Sequence, residues 1–191
     1  MTMPEAARGT THWRIDRWDA EQTAWVQQRS GLLAPAVEDF RRHGVAPYDV
    51  ADIHGNLITT AGLTRLTNLL TAGGGQAITN TSARIGVGNG AGTAAVGDTD
   101  LSASAGSSNR WFRVMDATYP QVSAGVLTLK ATFGSADGNF AWNEFGIDIG
   151  TPTVSSAATV NATLFNHKTS IAQGTKASGQ TWAATATVTF S

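Results

Sequence analysis

The chain has 191 residues, enough for one sizeable core, and its thirteen basic and fourteen acidic side chains give a formal net charge of −1. That balance excludes the basic field that draws a protein to nucleic acid or to an acidic membrane. The absence of cysteine excludes disulfides, thiolate metal sites and a cysteine nucleophile.

Charge is scarce, at 14% of residues against a globular norm of roughly 25%, and it is unevenly placed. It crowds into residues 1–54, and beyond Asp148 only Lys168 and Lys176 remain. A C-terminal half so poor in charge must stay soluble through Thr and Ser hydroxyls and through burial against neighbouring subunits. The opening MTMPEAARGTTHW has no apolar h-region, so the expectation is a protein made and used without export. No run approaches the ~18 apolar residues of a membrane span.

Residues 1–54 read as an extended N-terminal arm with short elements. His12 to Trp18 alternates as a strand, with Trp13 and Ile15 on one face and Arg14, Asp16 and Trp18 on the other. Residues 34–42 can form two helical turns, with Pro35 suited to the first. Tyr48 to Ile53 alternates again and ends at the turn signal His54-Gly55-Asn56. Residues 55–191 read as one β-sandwich domain. Its single covering helix spans 59–71, capped by Thr59 or Thr60, striped by Leu63, Leu66, Leu69 and Leu70, and stopped by Gly73-Gly74-Gly75. The period then changes to two. Strands are expected at 83–88, 110–118, 126–134, 139–149, 159–168 and 181–190, with turns at Asn89-Gly90, Ala124-Gly125, Asp137-Gly138 and Ser178-Gly179. The sum is a mainly β chain, an antiparallel sandwich with one wet side. The small, polar loop 88–108 is expected to be exposed and adaptable.

Candidate chemistry is weak throughout. Gly86-Val87-Gly88-Asn89-Gly90-Ala91 fits a dinucleotide fingerprint only superficially, because no helix opens after it. His12, His43, His54 and His167 are scattered without ligand spacing and read as surface or interface residues. Asp98 and Asp100 read as caps of a turn at 101–104. Glu144 and Asp148 share a strand face, and pairing with Arg110, Arg113 or Lys130 of a neighbouring strand is favoured over acid–base work. No serine lies in a Gly-x-Ser-x-Gly elbow. Asn80-Thr81-Ser82 and Asn161-Ala162-Thr163 match a glycosylation pattern that carries no weight without export. No enzyme activity, cofactor or metal is expected. Trp111, Trp142 and Trp182 are assigned to the core. Trp13, Trp18 and Trp25, with Phe40 and Tyr48, are the interface candidates, since aromatic anchors carry most interface energy.

Four blocks carry a resemblance. They are His54-Gly55-Asn56-Leu57 leading into the helix, Asn80 to Gly88, Ala131-Thr132-Phe133-Gly134 through Asn139 to Phe145, and Asn166-His167-Lys168 through Gly174 to Trp182. In these the chain resembles small virion proteins of tailed bacteriophages over roughly residues 50–191. The Asn143-Glu144 step before Phe145 also resembles phage tail-collar and fibre-attachment domains. The resemblance implies a structural role in a virion assembled in the host cytoplasm, with partners that are further copies of the chain and other virion proteins such as the major capsid protein. A capsid decoration protein is the leading expectation. A tail, neck or fibre-attachment protein is the alternative in the same class, a carbohydrate-binding module the one outside it, and a glycan hydrolase a poor third.

Overall fold

A computed structural model describes residues 9–150 and 163–190. In chain order these form β1 (Gly9–Trp18), α1 (Ala20–Ser30), α2 (Val37–Arg42), β2 (Asp49–His54), β3 (Leu57–Ile58), α3 (Thr60–Leu70), β4 (Ala83–Gly88), β5 (Arg110–Val114), β6 (Gln121–Ser123), β7 (Val126–Phe133), β8 (Glu144–Ile149), β9 (Leu164–Lys168) and β10 (Thr181–Phe190). The chain is a mainly β antiparallel sandwich of two five-stranded sheets, ordered β2-β1-β10-β7-β6 and β3-β9-β8-β4-β5. Among the described residues no helix is long and apolar enough to cross a membrane.

The core lies between the sheets. Trp13 and Ile15 of β1 sit opposite Ala186 and Ala184 of β10, so small side chains on one strand make room for large ones on the next. Trp13 reaches across the sandwich to Phe145 of β8, ring centroids 4.9 Å apart. Trp142 joins Phe133 and Trp182 edge to face, each at 4.9 Å. Trp142 and Trp182 are core residues as expected, and Trp111 is half-buried at its margin.

Residues 1–54 are not an arm from Gly9 onward. β1 is an interior strand, paired with β10 over its whole length and with β2 from His12 to Arg17, and Trp13 and Ile15 share its core face. The outward face ends at Trp18, which stacks on Phe40 at 4.4 Å and donates from Nε1 to the Val45 carbonyl. With Val26, Val37 and Ala183 they form a second core, in which α1 and α2 cover the outside of the first sheet. Lys130 of β7, buried, donates to Glu38 of α2 at 2.7 Å and ties that layer down. α1 has a weak apolar stripe, with only Thr23 and Val26 buried. It is written instead in its ends: Asp19 and Gln22 form a capping box, and Gly31 closes it at φ +73°.

α3 matches its expected position, with Thr59 as the cap that accepts from the Gly62 amide. It presses against β9 so closely that any Cβ at Gly62 would strike the Phe165 backbone. That contact uses the helix's smallest residue. Leu66 reaches the margin of the core, while Leu63 (51% exposed) and Leu70 (85%) face outward.

Two strands are shorter than periodicity predicts. Residues 139–143 leave the sheet because Gly138, at φ +62°, starts a turn, and Trp142 then exchanges backbone bonds with Gly174 and Gln173. The segment 115–118 leaves β5 where the Asp116 carboxylate accepts from the Thr132 amide and hydroxyl. The expected strand residues 159–162 lie outside the described residues.

Candidate functional site

The second sheet is expected to have a wet face, yet β8 is buried on both sides. Its outer face is roofed by residues 89–109, the loop joining β4 to β5. Leu101 and Ala103 of this loop are buried, and Leu101 packs with Phe112 and Leu164. The loop comes this close because the strands beneath it carry glycine. Gly88 stands opposite Glu144, and a Cβ there would collide with the Glu144 carboxylate and lie 2.9 Å from Ala103 Cβ; one at Gly146 would lie 2.9 Å from Leu101.

Beneath that roof sits a linear array of three ionisable groups. His167 of β9 bonds through Nδ1 to Asp98 Oδ2 at 2.6 Å and through Nε2 to Glu144 Oε2 at 2.8 Å. His167 and Glu144 are fully buried, and Asp98 is about a quarter exposed. Burial pushes the imidazole pKa down, but the bonds and charges of Glu144 and Asp98 outweigh it and hold His167 above its ordinary value. Burial pushes Glu144 up, and His167 together with the Ser102 and Ala103 amides reverses this and holds the carboxyl below its ordinary value. Asp98 likewise ends below its ordinary value: burial is outweighed by the Ala95 amide and by His167. Both ring nitrogens face carboxylate oxygens, an arrangement that favours an imidazolium between two carboxylates.

Glu144 also receives the loop. Its Oε2 accepts from the Ser102 amide at 2.8 Å, and its Oε1 accepts from the amides of Ala103 at 2.7 Å and Gly90 at 3.3 Å. Asp98 accepts from the Ala95 amide at 2.8 Å, and Ala94 donates to Thr169 at 3.2 Å. One charged cluster thus fixes both ends of the roof to β8 and β9. When protonated, each ring nitrogen of His167 donates to one of the two carboxylates. Among the described residues no group of three or more His, Asp or Glu is arranged to hold a metal.

Comparison with protein-family models, with curated proteins and with solved structures gave no match in any of the three.

The sequence-derived site residues divide. Trp13, Trp18 and Phe40 are fully buried in this chain's own cores, so they cannot anchor a neighbour; the strand and helix that carry them are part of the sandwich. Trp25 (38% exposed) and Tyr48 (50%) remain on the surface. Glu144 pairs with His167 and not with the expected Arg110, Arg113 or Lys130. Arg110 bonds to Asp100, Arg113 approaches Asp137 at 3.5 Å, and Lys130 holds Glu38. Asp148 lies 3.8 Å from Arg84. His167 is an interior residue, while His12 and His54 stack at 4.6 Å on the β1–β2 surface, as a surface reading predicts. Asp100 does accept from the Leu101 amide at 2.8 Å, whereas Asp98 serves Ala95 and His167 instead. Asn80 donates to the carbonyls of Met115, Asp116 and Tyr119, a structural use of its amide. No helix opens after Gly90. Asn161 lies outside the described residues.

Proposed function

We propose that this chain is a structural subunit of a tailed-phage virion, and within it a capsid decoration protein that stabilises the shell by contact with further copies of itself and with the major capsid protein. The observation that carries the reading is the outward leucine face of α3. The helix packs through Gly62 and Leu66 and leaves Leu63 and Leu70 in solvent, an apolar face its own core does not cover. Val96, 58% exposed, adjoins the first turn of the helix, where the Thr60 amide donates to its carbonyl at 2.7 Å. Burying such a face returns about 25 cal/mol per Å² of apolar area, and repetition over a lattice multiplies a modest contact into avidity. The buried charged array is compatible with the same reading, because its bonds brace the loop 89–109.

The carbohydrate-module reading is disfavoured by one contact. The Arg29 guanidinium lies 4.8 Å over the Trp25 ring and occupies one of its two faces.

The test is co-sedimentation of the purified chain with separated phage heads and tails. Binding to heads that is lost in a Leu63→Asp/Leu70→Asp variant supports the proposal. Binding to tails alone moves the protein to the neck or tail, and binding to neither overturns the virion role.

A further inference from the structure

A second buried ionisable group lies outside the array. Lys176, between β9 and β10, is fully buried, and its Nζ donates to the Gly134 carbonyl and to Asn139 Oδ1, each at 2.8 Å. Among the described residues no carboxylate forms an ion pair with it. Burial lowers its pKa to about 8, against the opposing pull of Asp137. The free amine is therefore reached at a lower pH than for an ordinary lysine. A desolvated, neutral lysine is a nucleophile.

Its neighbour is held for attack. Asn139 Nδ2 donates to the Ser135 carbonyl at 3.0 Å, which fixes the carboxamide with its oxygen toward Nζ; the flipped amide would set donor against donor. The backbone holds the two segments in place, through Lys176 N to Phe140 O at 3.1 Å, Gly179 N to Ser135 O at 3.1 Å, and a bridge between Ala141 and Thr175. The pair is therefore presented by a closed ladder.

We propose that Lys176 and Asn139 join in an intramolecular isopeptide bond. The neutral Nζ attacks Asn139 Cγ, the new C–N bond forms, the Cγ–Nδ2 bond breaks, and Nδ2 leaves as ammonia carrying the proton that Nζ gives up. No oxidant or reductant enters. Asp137, whose Oδ2 accepts from the Gly134 amide at 3.1 Å, is the carboxylate of that turn available to carry the proton. The bond ties the turn after β7 to the segment before β10, closing the end of the sandwich where Phe133, Trp142 and Trp182 meet.

The experiment is intact-mass spectrometry of the purified full chain, denatured, before and after incubation at pH 9. The expected result is a mass about 17 Da below the sequence mass, the loss of one ammonia. Tryptic digestion is expected to give a branched peptide linking Asn139 to Lys176, uncleaved after Lys176. Lys176→Arg and Asn139→Ala are each expected to return the full mass. The full sequence mass in the wild-type chain after incubation, or a loss mapped to another asparagine, overturns the proposal. Either result is read on the wild-type protein and does not depend on whether the variants fold.

Discussion

Replacing His167 by alanine tests the energetic role of the buried array. The substitution leaves Glu144 without its countercharge, fully buried, with only the amides of Ser102, Ala103 and Gly90 as partners. Breaking a buried pair by removing one partner costs about 3–5 kcal/mol. For a chain of this size that lowers Tm by roughly 6–20 °C. Asp98→Asn provides the internal control. Asp98 is about a quarter exposed, and asparagine keeps an oxygen for the Ala95 amide, so the expected loss is about 1 kcal/mol or less. Thermal unfolding by circular dichroism gives the first measurement, and hydrogen exchange at the Ser102 and Ala103 amides gives the second. The His167→Ala chain is expected to exchange faster at those amides while β1 and β10 stay protected. A Tm within a degree or two of wild type, with unchanged exchange in the loop, would show that the array does not hold the roof.

Three further outcomes follow from the same contacts. The array's contribution to stability should be greatest between about pH 4.5 and 6.5. His167, raised above 6.5, contributes fully below that value and loses its contribution as the pH rises through its folded pKa; Glu144 and Asp98, lowered from 4.5 and 3.8, contribute fully above those values and lose it as the pH falls through theirs. Subtracting the His167→Ala profile isolates this dependence from Lys176, and a flat difference would contradict it. Gly88→Ala should destabilise by about 1–3 kcal/mol and loosen residues 89–109, since its methyl meets the Glu144 carboxylate and Ala103; a Tm equal to wild type would refute the close approach. Leu63→Asp/Leu70→Asp should change stability by no more than about 1 kcal/mol in urea unfolding, because both side chains face solvent; a larger loss would show that they are packed within the chain.

The strands were legible where alternation and turn residues agree. β4 and β10 fall on their expected bounds, and the capped, glycine-stopped α3 differs by one residue at each end. The alternation from His12 to Trp18 predicts the strand, with Trp13 and Ile15 on one face, but charge density suggests an arm and so places Trp13 at an interface instead of in the core. Strand order depends on partners far along the chain, and β1 finds its own in β10. The array was not legible because its members are 98, 144 and 167 and meet only through sheet register and loop closure. The available signal was in the glycines. Gly88 and Gly146 on adjacent strands leave a trough, and Leu101 is an apolar residue in a polar loop with reason to lie in it. Glu144 and Asp148 share a strand face in the sequence, but a period of two cannot distinguish a wet face from one covered by a loop, so the partners expected for them are basic residues of the next strand.

Counting copies of the chain per purified phage particle, by quantitative mass spectrometry with cryo-electron microscopy of the same sample, tests the contact role most directly. A lattice-bound subunit predicts on the order of hundreds of copies over the head, with α3 against the shell. A ring of roughly six to twelve copies at the neck or tail would contradict decoration, and complete absence from the particle would contradict a virion role altogether.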